Sequence, residues 1–184
     1  MILIITVFAA LAIPSAVVQM RDRRVQESAR RIALMFRQAR LRALGRGAAV
    51  LVRFDGTAFT VHEARLGTLA PDANCADLPV SSCLNTRWAS STTAQRIVDG
   101  HAEATSGDMS NVSLRVVDSG NTAVAKLEVC FTPMGRAFVR EDINDATAFA
   151  PLDETYEAVV SRPGMTRTRR VVLMPNGTAR LASQ

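Results

Sequence analysis

Lysine is almost missing from this 184-residue chain. Of its 22 basic residues only Lys126 is not arginine, a bias that GC-rich coding produces and that specifies no function. Aromatic residues make up 5% of the chain, with one tryptophan, Trp88, and one tyrosine, Tyr156, far apart in sequence. That excludes a row of stacking aromatics of the kind that grips single-stranded nucleic acid. Three cysteines form no C-x-x-C pair, and the two histidines, His62 and His101, stand alone. The spacing therefore offers no metal site of the zinc type, and no cofactor is implied. There is no G-x-S-x-G, no P-loop and no H-E-x-x-H, so no catalytic set is legible. The acidic pairs Glu141-Asp142 and Asp153-Glu154 lack the spacing of a calcium loop and read as solvated surface.

Charge is missing altogether from the first twenty residues, MILIITVFAALAIPSAVVQM. After them the charge is segregated. Arg21 to Arg65 holds eleven arginines against four carboxylates. Leu66 to Val160 holds six basic residues against thirteen acidic ones, and Ser161 to the end holds five arginines and no acid. Basic blocks can attract nucleic acid or anionic lipid, but the reading favoured for them is a solvated helix face with strand edges.

The opening run is slightly short for an ordinary membrane helix, which needs about 20 apolar residues. As a secretory signal it lacks the basic n-region, and Pro14 falls where the apolar stretch should end. Arg21, Arg23 and Arg24 after it would, by the positive-inside rule, hold the rest of the chain in the cytoplasm. The next segment has a clear period. Val25, Ala29, Ile32, Phe36, Ala39 and Ala43 recur at spacings of three and four, one face of a helix. Glu27 precedes Arg31 by four residues, and Gly45 and Gly47 supply the stop. The pattern predicts one helix from about Ile2 to about Leu44, bent near Pro14, with the stripe of its second half packed on a sheet.

Past Gly47 the period becomes that of strands. Ala49 to Phe54 and Thr57 to His62 flank Asp55-Gly56, a hairpin signal. Further strands are predicted at Val112 to Val117, over Val124, Leu127, Val129 and Phe131 with Lys126 and Glu128 on the other face, at Ala137 to Val139, Glu157 to Arg162, Arg169 to Met174 and Thr178 to Leu181. Leu66 to Asn111 reads as a variable loop with short strands. Cys75 and Cys83 bracket NCADLPVSSC and form the candidate disulfide if the domain is periplasmic, contributing about 2–3 kcal/mol on the chain-entropy model. Cys130 is then left over as a small buried residue.

Leu11-Ala12-Ile13-Pro14-Ser15, at the end of the apolar run, resembles the motif that closes the apolar helix of type IV pilins and type II secretion pseudopilins. The stretch ESARRIALMFRQARLRALGRGAAVLVRF resembles, more specifically, the H-type pseudopilin (GspH) and FimT-like pattern of a helix entering the first strand. CFTPMGRAF and VVLMPNGTARL are similar to the family's strand-turn and closing hairpin. The resemblance leaves about Leu66 to Asn111 uncovered. It implies an α+β fold, a long N-terminal helix packed on an antiparallel β-sheet head. Residues 1–19 would be the membrane-spanning segment, 20–46 the amphipathic stalk and 47–184 a β-rich periplasmic head.

The family's glutamate and its peptidase-cleaved glycine would both precede Met1. The expectation is therefore that Met1 is an internal methionine behind a basic leader, which would also restore the positive-inside balance. Prepilin peptidase is a partner only if that leader exists. The resemblance implies a non-enzymatic minor pilin or pseudopilin subunit, single-pass in the bacterial inner membrane. It would assemble through its helix, with Pro14 as kink and packing point, beside other minor and major subunits near a filament tip. The competing expectation is a DNA-binding uptake pilin of the FimT-like group. Arg167, Arg169, Arg170 and Arg180 are its candidate contacts. Of the family's C-terminal Gly-Arg-x-Arg, Gly177-Thr178-Ala179-Arg180 keeps only the last arginine. A signal-anchored periplasmic enzyme is the third reading, and the missing motifs count against it.

Overall fold

The computed structural model describes residues 2–66, 78–90, 93–97, 112–144, 146–164 and 167–182, with side chains from Asp22 onward. One helix, α1 (Ile2–Arg46), precedes eleven strands: β1 (Val50–Phe54), β2 (Phe59–Ala64), β3 (Ala94–Arg96), β4 (Ser113–Val117), β5 (Ala123–Val124), β6 (Leu127–Phe131), β7 (Ala137–Arg140), β8 (Ala150–Pro151), β9 (Tyr156–Ser161), β10 (Arg169–Leu173) and β11 (Ala179–Ala182). The fold is α+β: the helix packs on two antiparallel sheets. One sheet has the order β3-β2-β1-β6-β7-β8 and the other β11-β10-β9-β4-β5.

The helix ends where its sequence stops favouring it. Gly47 takes φ 69°, and its N–H donates to the Ala43 carbonyl at 3.1 Å, the left-handed cap that glycine adopts without strain. Among the described residues no helix is long and apolar enough to cross a membrane. The expectations of a membrane segment at 1–19 and of a kink at Pro14 fall on side chains outside the described residues.

From Val25 on, the stripe lands as its spacing requires. Val25, Ala29, Ile32, Phe36, Ala39 and Ala43 are all buried, joined by Met35. They meet Val50, Val52, Phe54, Phe59, Val129 and Phe131 of the first sheet and Val160, Val171 and Leu173 of the second in one core. Phe36 stands edge-on to Phe59 and Phe131, with ring centroids 5.7 and 6.5 Å away. Edge-to-face aromatic pairs of this kind add about 0.5–1.5 kcal/mol beyond their buried area.

The predicted hairpin forms with Phe54 opposite Phe59. The Asp55 carboxylate closes its loop by accepting from the backbone N–H of Thr57 and of Ala58, each at 2.8 Å. Burial pushes the Asp55 pKa up, but the hydrogen bonds from Ala58 and Thr57 outweigh it and hold the carboxyl below the usual value. The strand expected over Val124 to Phe131 is two strands. Val124 and Leu127 are three apart, which breaks a period of two, and there the chain steps from the second sheet to the first.

A second, smaller core lies on the opposite face of the first sheet. Ala49, Leu51, Ala64 and Cys130 are roofed there by Cys83 and Trp88. It corrects the disulfide expectation: Cys83 bonds to Cys130, with Cα atoms 6.0 Å apart, and not to Cys75. Cys130 is on β6, whose neighbour β1 carries Leu51 opposite it, and the 78–90 segment crosses that face. The bridge therefore staples roof to sheet. Cys75 lies outside the described residues.

Candidate functional site

Glu128 alternates away from the main core, as its place in β6 demands, yet it is fully buried beneath the roof. Its carboxylate takes the Arg53 Nε–H at 2.5 Å and two donors from Arg140, Nε–H at 2.7 Å and Nη2–H. Arg53 also donates to the Trp88 carbonyl at 3.2 Å. Arg140 donates to the carbonyls of Asn144 and Thr147 and lies 4.4 Å from the centre of the Phe149 ring. The buried charge is thus paired and hydrogen-bonded, the condition under which interiors tolerate one. It ties the roof and the 141–149 loop to one point.

His62 faces the same sheet between Leu51 and Arg96, its Nε2 at 3.2 Å from the Thr60 hydroxyl. Burial, then the charges of Arg53 and Arg96, push its pKa down to about 4, so the ring is neutral at pH 7. Among the described residues no group of three His, Cys, Asp or Glu side chains is placed to hold a metal. His101 lies outside the described residues.

The four tail arginines do not form one site. Arg169 donates from Nη2 to the Asp22 carboxylate, 3.2 Å from Oδ2, and Arg167 reaches the same oxygen at 3.5 Å. Arg170 pairs with Glu157 at 2.9 Å. These partners come from the stalk and from β9, so an arginine run without acid in sequence is partly neutralised in space. Arg180 is separate. It lies on β11, where Arg180 and Leu181, with Ala179, join Arg30, Ala33, Leu34 and Arg37 of α1 in lining an open groove of about 390 Å³. No ion pair engages Arg30, Arg37 or Arg180 among the described residues. Leu34 and Leu181 are 49% and 40% exposed there.

In sequence the helix divides into a buried stripe and a basic remainder, and this groove does not stand out. Arg30, Leu34, Arg37 and Leu41 follow at spacings of four, three and four, and so share a second face of the helix. A second opening, about 460 Å³, lies by the β6–β7 turn between Arg40, Arg136, Phe138, Pro151 and Asn176.

Opposite in sign is a corner around Tyr156. Its hydroxyl donates to Glu141 Oε1 at 2.9 Å, and the Ser119 hydroxyl donates to Glu154 Oε2 at 3.3 Å. Asp118 follows Val117, which pairs with Glu157 next to Tyr156, so it lies at the same corner. Burial, the hydrogen bond to Glu141 and the charges of Glu141, Glu154 and Asp118 all push the Tyr156 pKa up.

No family model matches the chain, and no curated protein matches it. The chain is similar to two crystal structures of the type IV minor pilin FimU of Pseudomonas aeruginosa strain PAO1, in space groups P21 and P65. The first is 13% identical with a TM-score of 0.45, covering 86% of this chain and 88% of that one. The second is 14% identical with a TM-score of 0.43, covering 86% and 92%. At these values the two structures assign no function to the chain.

Proposed function

We propose that the chain is a minor pilin or pseudopilin subunit, built to assemble into a filament. Residues 1–19 would anchor it in the inner membrane, 20–46 would form the stalk, and 47–184 the periplasmic head. One observation carries this reading: a single helix, Ile2–Arg46, is docked on the head by the stripe from Val25 onward, while Ile2 to Met20 contain no charged side chain. A helix of that length spans about 28 Å, close to the thickness of about 30 Å of a bilayer's hydrocarbon core. Such a helix can wait in a membrane and later pack against others like it. The Cys83–Cys130 bridge suits an oxidising compartment. The work of the chain is then assembly, with a place near the filament tip. Prepilin peptidase acts on it if a leader precedes Met1, and the GspH/FimT-like group is the branch its motifs resemble.

The rival reading, a DNA-binding uptake pilin, is weakened by the ion pairs of Arg167, Arg169 and Arg170, which leave Arg180 as the unpaired candidate. The test is fractionation. The tagged chain, expressed from its own locus with its native upstream sequence, should enter the filament fraction when filaments assemble. Confinement to the membrane or the soluble periplasm while filaments form would reject the proposal.

A further inference from the structure

We propose that the groove between α1 and β11 receives the acidic corner of a second copy of this chain. In this head-to-tail contact, Arg30, Arg37 and Arg180 of one copy meet Asp118, Glu141 and Glu154 of the next. The inference rests on the filament-subunit reading and names a partner for it.

Both halves of the contact are present on the same chain. The groove gathers three arginines with no ion pair among the described residues, around two half-exposed leucines. Single exposed leucines are ordinary on a protein surface. Here Leu34 and Leu181 share one groove, and Leu41, 60% exposed, extends the patch along the same helix face. The corner gathers three carboxylates whose described contacts are with neutral donors, the hydroxyls of Tyr156 and Ser119 and the Thr122 backbone N–H, and not with a cation.

The two surfaces cannot meet within one copy. β11 is one edge of the second sheet, whereas Asp118 opens the turn into β5, the other edge. Three strands lie between those edges, so about 19 Å separates them at the usual strand spacing. Complementary patches on different faces make a heterologous contact, which propagates instead of closing. Rim charges of this kind set orientation and salt dependence more than affinity. The groove has no aromatic ring to stack on bases, and leucines gain nothing from a phosphate backbone.

The experiment is sedimentation velocity on the full chain in a mild detergent, across a salt series. The natural chain should self-associate at low salt, and the association should fall as salt screens the contact. The groove variant Arg30→Glu with Arg37→Glu should self-associate at least ten-fold more weakly, as should the corner variant Glu141→Arg with Glu154→Arg. An equimolar mixture of the two should recover the association, because each reversed surface then meets its complement. Arg30→Gln with Arg37→Gln, at exposed helix positions, serves if the reversed corner does not fold, and should weaken association in the same direction. Association unchanged in the groove variants, or no recovery in the mixture of folded variants, overturns the contact. So does loss of duplex-DNA binding in the groove variants with self-association intact, which would make the groove a nucleic-acid site. Filament entry is scored separately. A chain that pairs through the groove yet never enters filaments sinks the filament reading and spares the contact. One that enters filaments but does not self-associate does the reverse.

Discussion

Replacing Glu128 should destabilise the head more than any exposed charge change. Its carboxylate is fully buried, the Arg140 side chain is 2% exposed and the Arg53 side chain 16%. In Glu128→Ala the Arg140 guanidinium keeps the Asn144 and Thr147 carbonyls and the Phe149 ring but loses the Glu128 carboxylate, as does Arg53. Removing one partner of a buried pair typically costs about 3–5 kcal/mol, a large share of the about 5–15 kcal/mol that holds a domain folded. Glu128→Gln preserves shape and one acceptor, and should cost about 1.5–3 kcal/mol, the range for a hydrogen bond to a charged group. Glu128→Leu combined with Arg140→Met removes both charges, and should cost clearly less than the two single changes together. Urea unfolding followed by Trp88 fluorescence is the assay. Trp88, the chain's one tryptophan, is buried in the same layer, its indole N–H donating to the Cys83 carbonyl at 3.0 Å. A cost under about 1 kcal/mol for Glu128→Ala, or single costs that simply add, would refute the reasoning, since coupled neighbours do not add.

Three further outcomes are expected. Reducing Cys83–Cys130, which are 47 residues apart, should lower stability by about 4 kcal/mol on the chain-entropy model, read as a shift in the urea midpoint with and without reductant. His62 is neutral when folded because its pKa is lowered from 6.5 to about 4, while the unfolded ring takes up a proton near 6.5. Its contribution to stability is therefore complete above pH 6.5, falls between 6.5 and 4 and levels off below, and His62→Gln should flatten that part of the stability profile. Gly177 has φ 74°, and a Cβ there would sit 2.9 Å from Phe131 Cε1 and 3.0 Å from the Ala137 Cβ. Gly177→Ala should cost about 1–3 kcal/mol by thermal unfolding; an unchanged midpoint would show that the turn yields.

The part of the fold that was legible in sequence is the part governed by local period. The six stripe residues of α1 are buried because helix geometry alone aligns them, and the Asp55-Gly56 hairpin follows from turn chemistry. The second core was not legible. Its roof, 78–90, is rich in small polar residues and shows no period, so nothing in sequence announced that Glu128 would be covered. Cysteine spacing favoured the near pair Cys75 and Cys83, but a disulfide follows proximity in space, and β6 brings Cys130 beneath the roof. The tail arginines misled for the same reason: Asp22, which pairs with Arg169 and Arg167, stands at the far end of the chain. The groove was half legible, since the Arg30-Leu34-Arg37-Leu41 face was written in the helix and its other wall, β11, was not.

The position of Asp22 matters for force. The helix lies across strands of both sheets, so a pull along its axis loads the buried stripe in shear, many contacts at once. A sideways pull would instead peel the stripe from its free end, beginning just ahead of Val25. There Asp22 grips Arg169 and Arg167 of the closing hairpin, a two-armed clasp at the place where a peel must start. Tension applied through the first twenty residues therefore meets that clasp before it reaches the stripe.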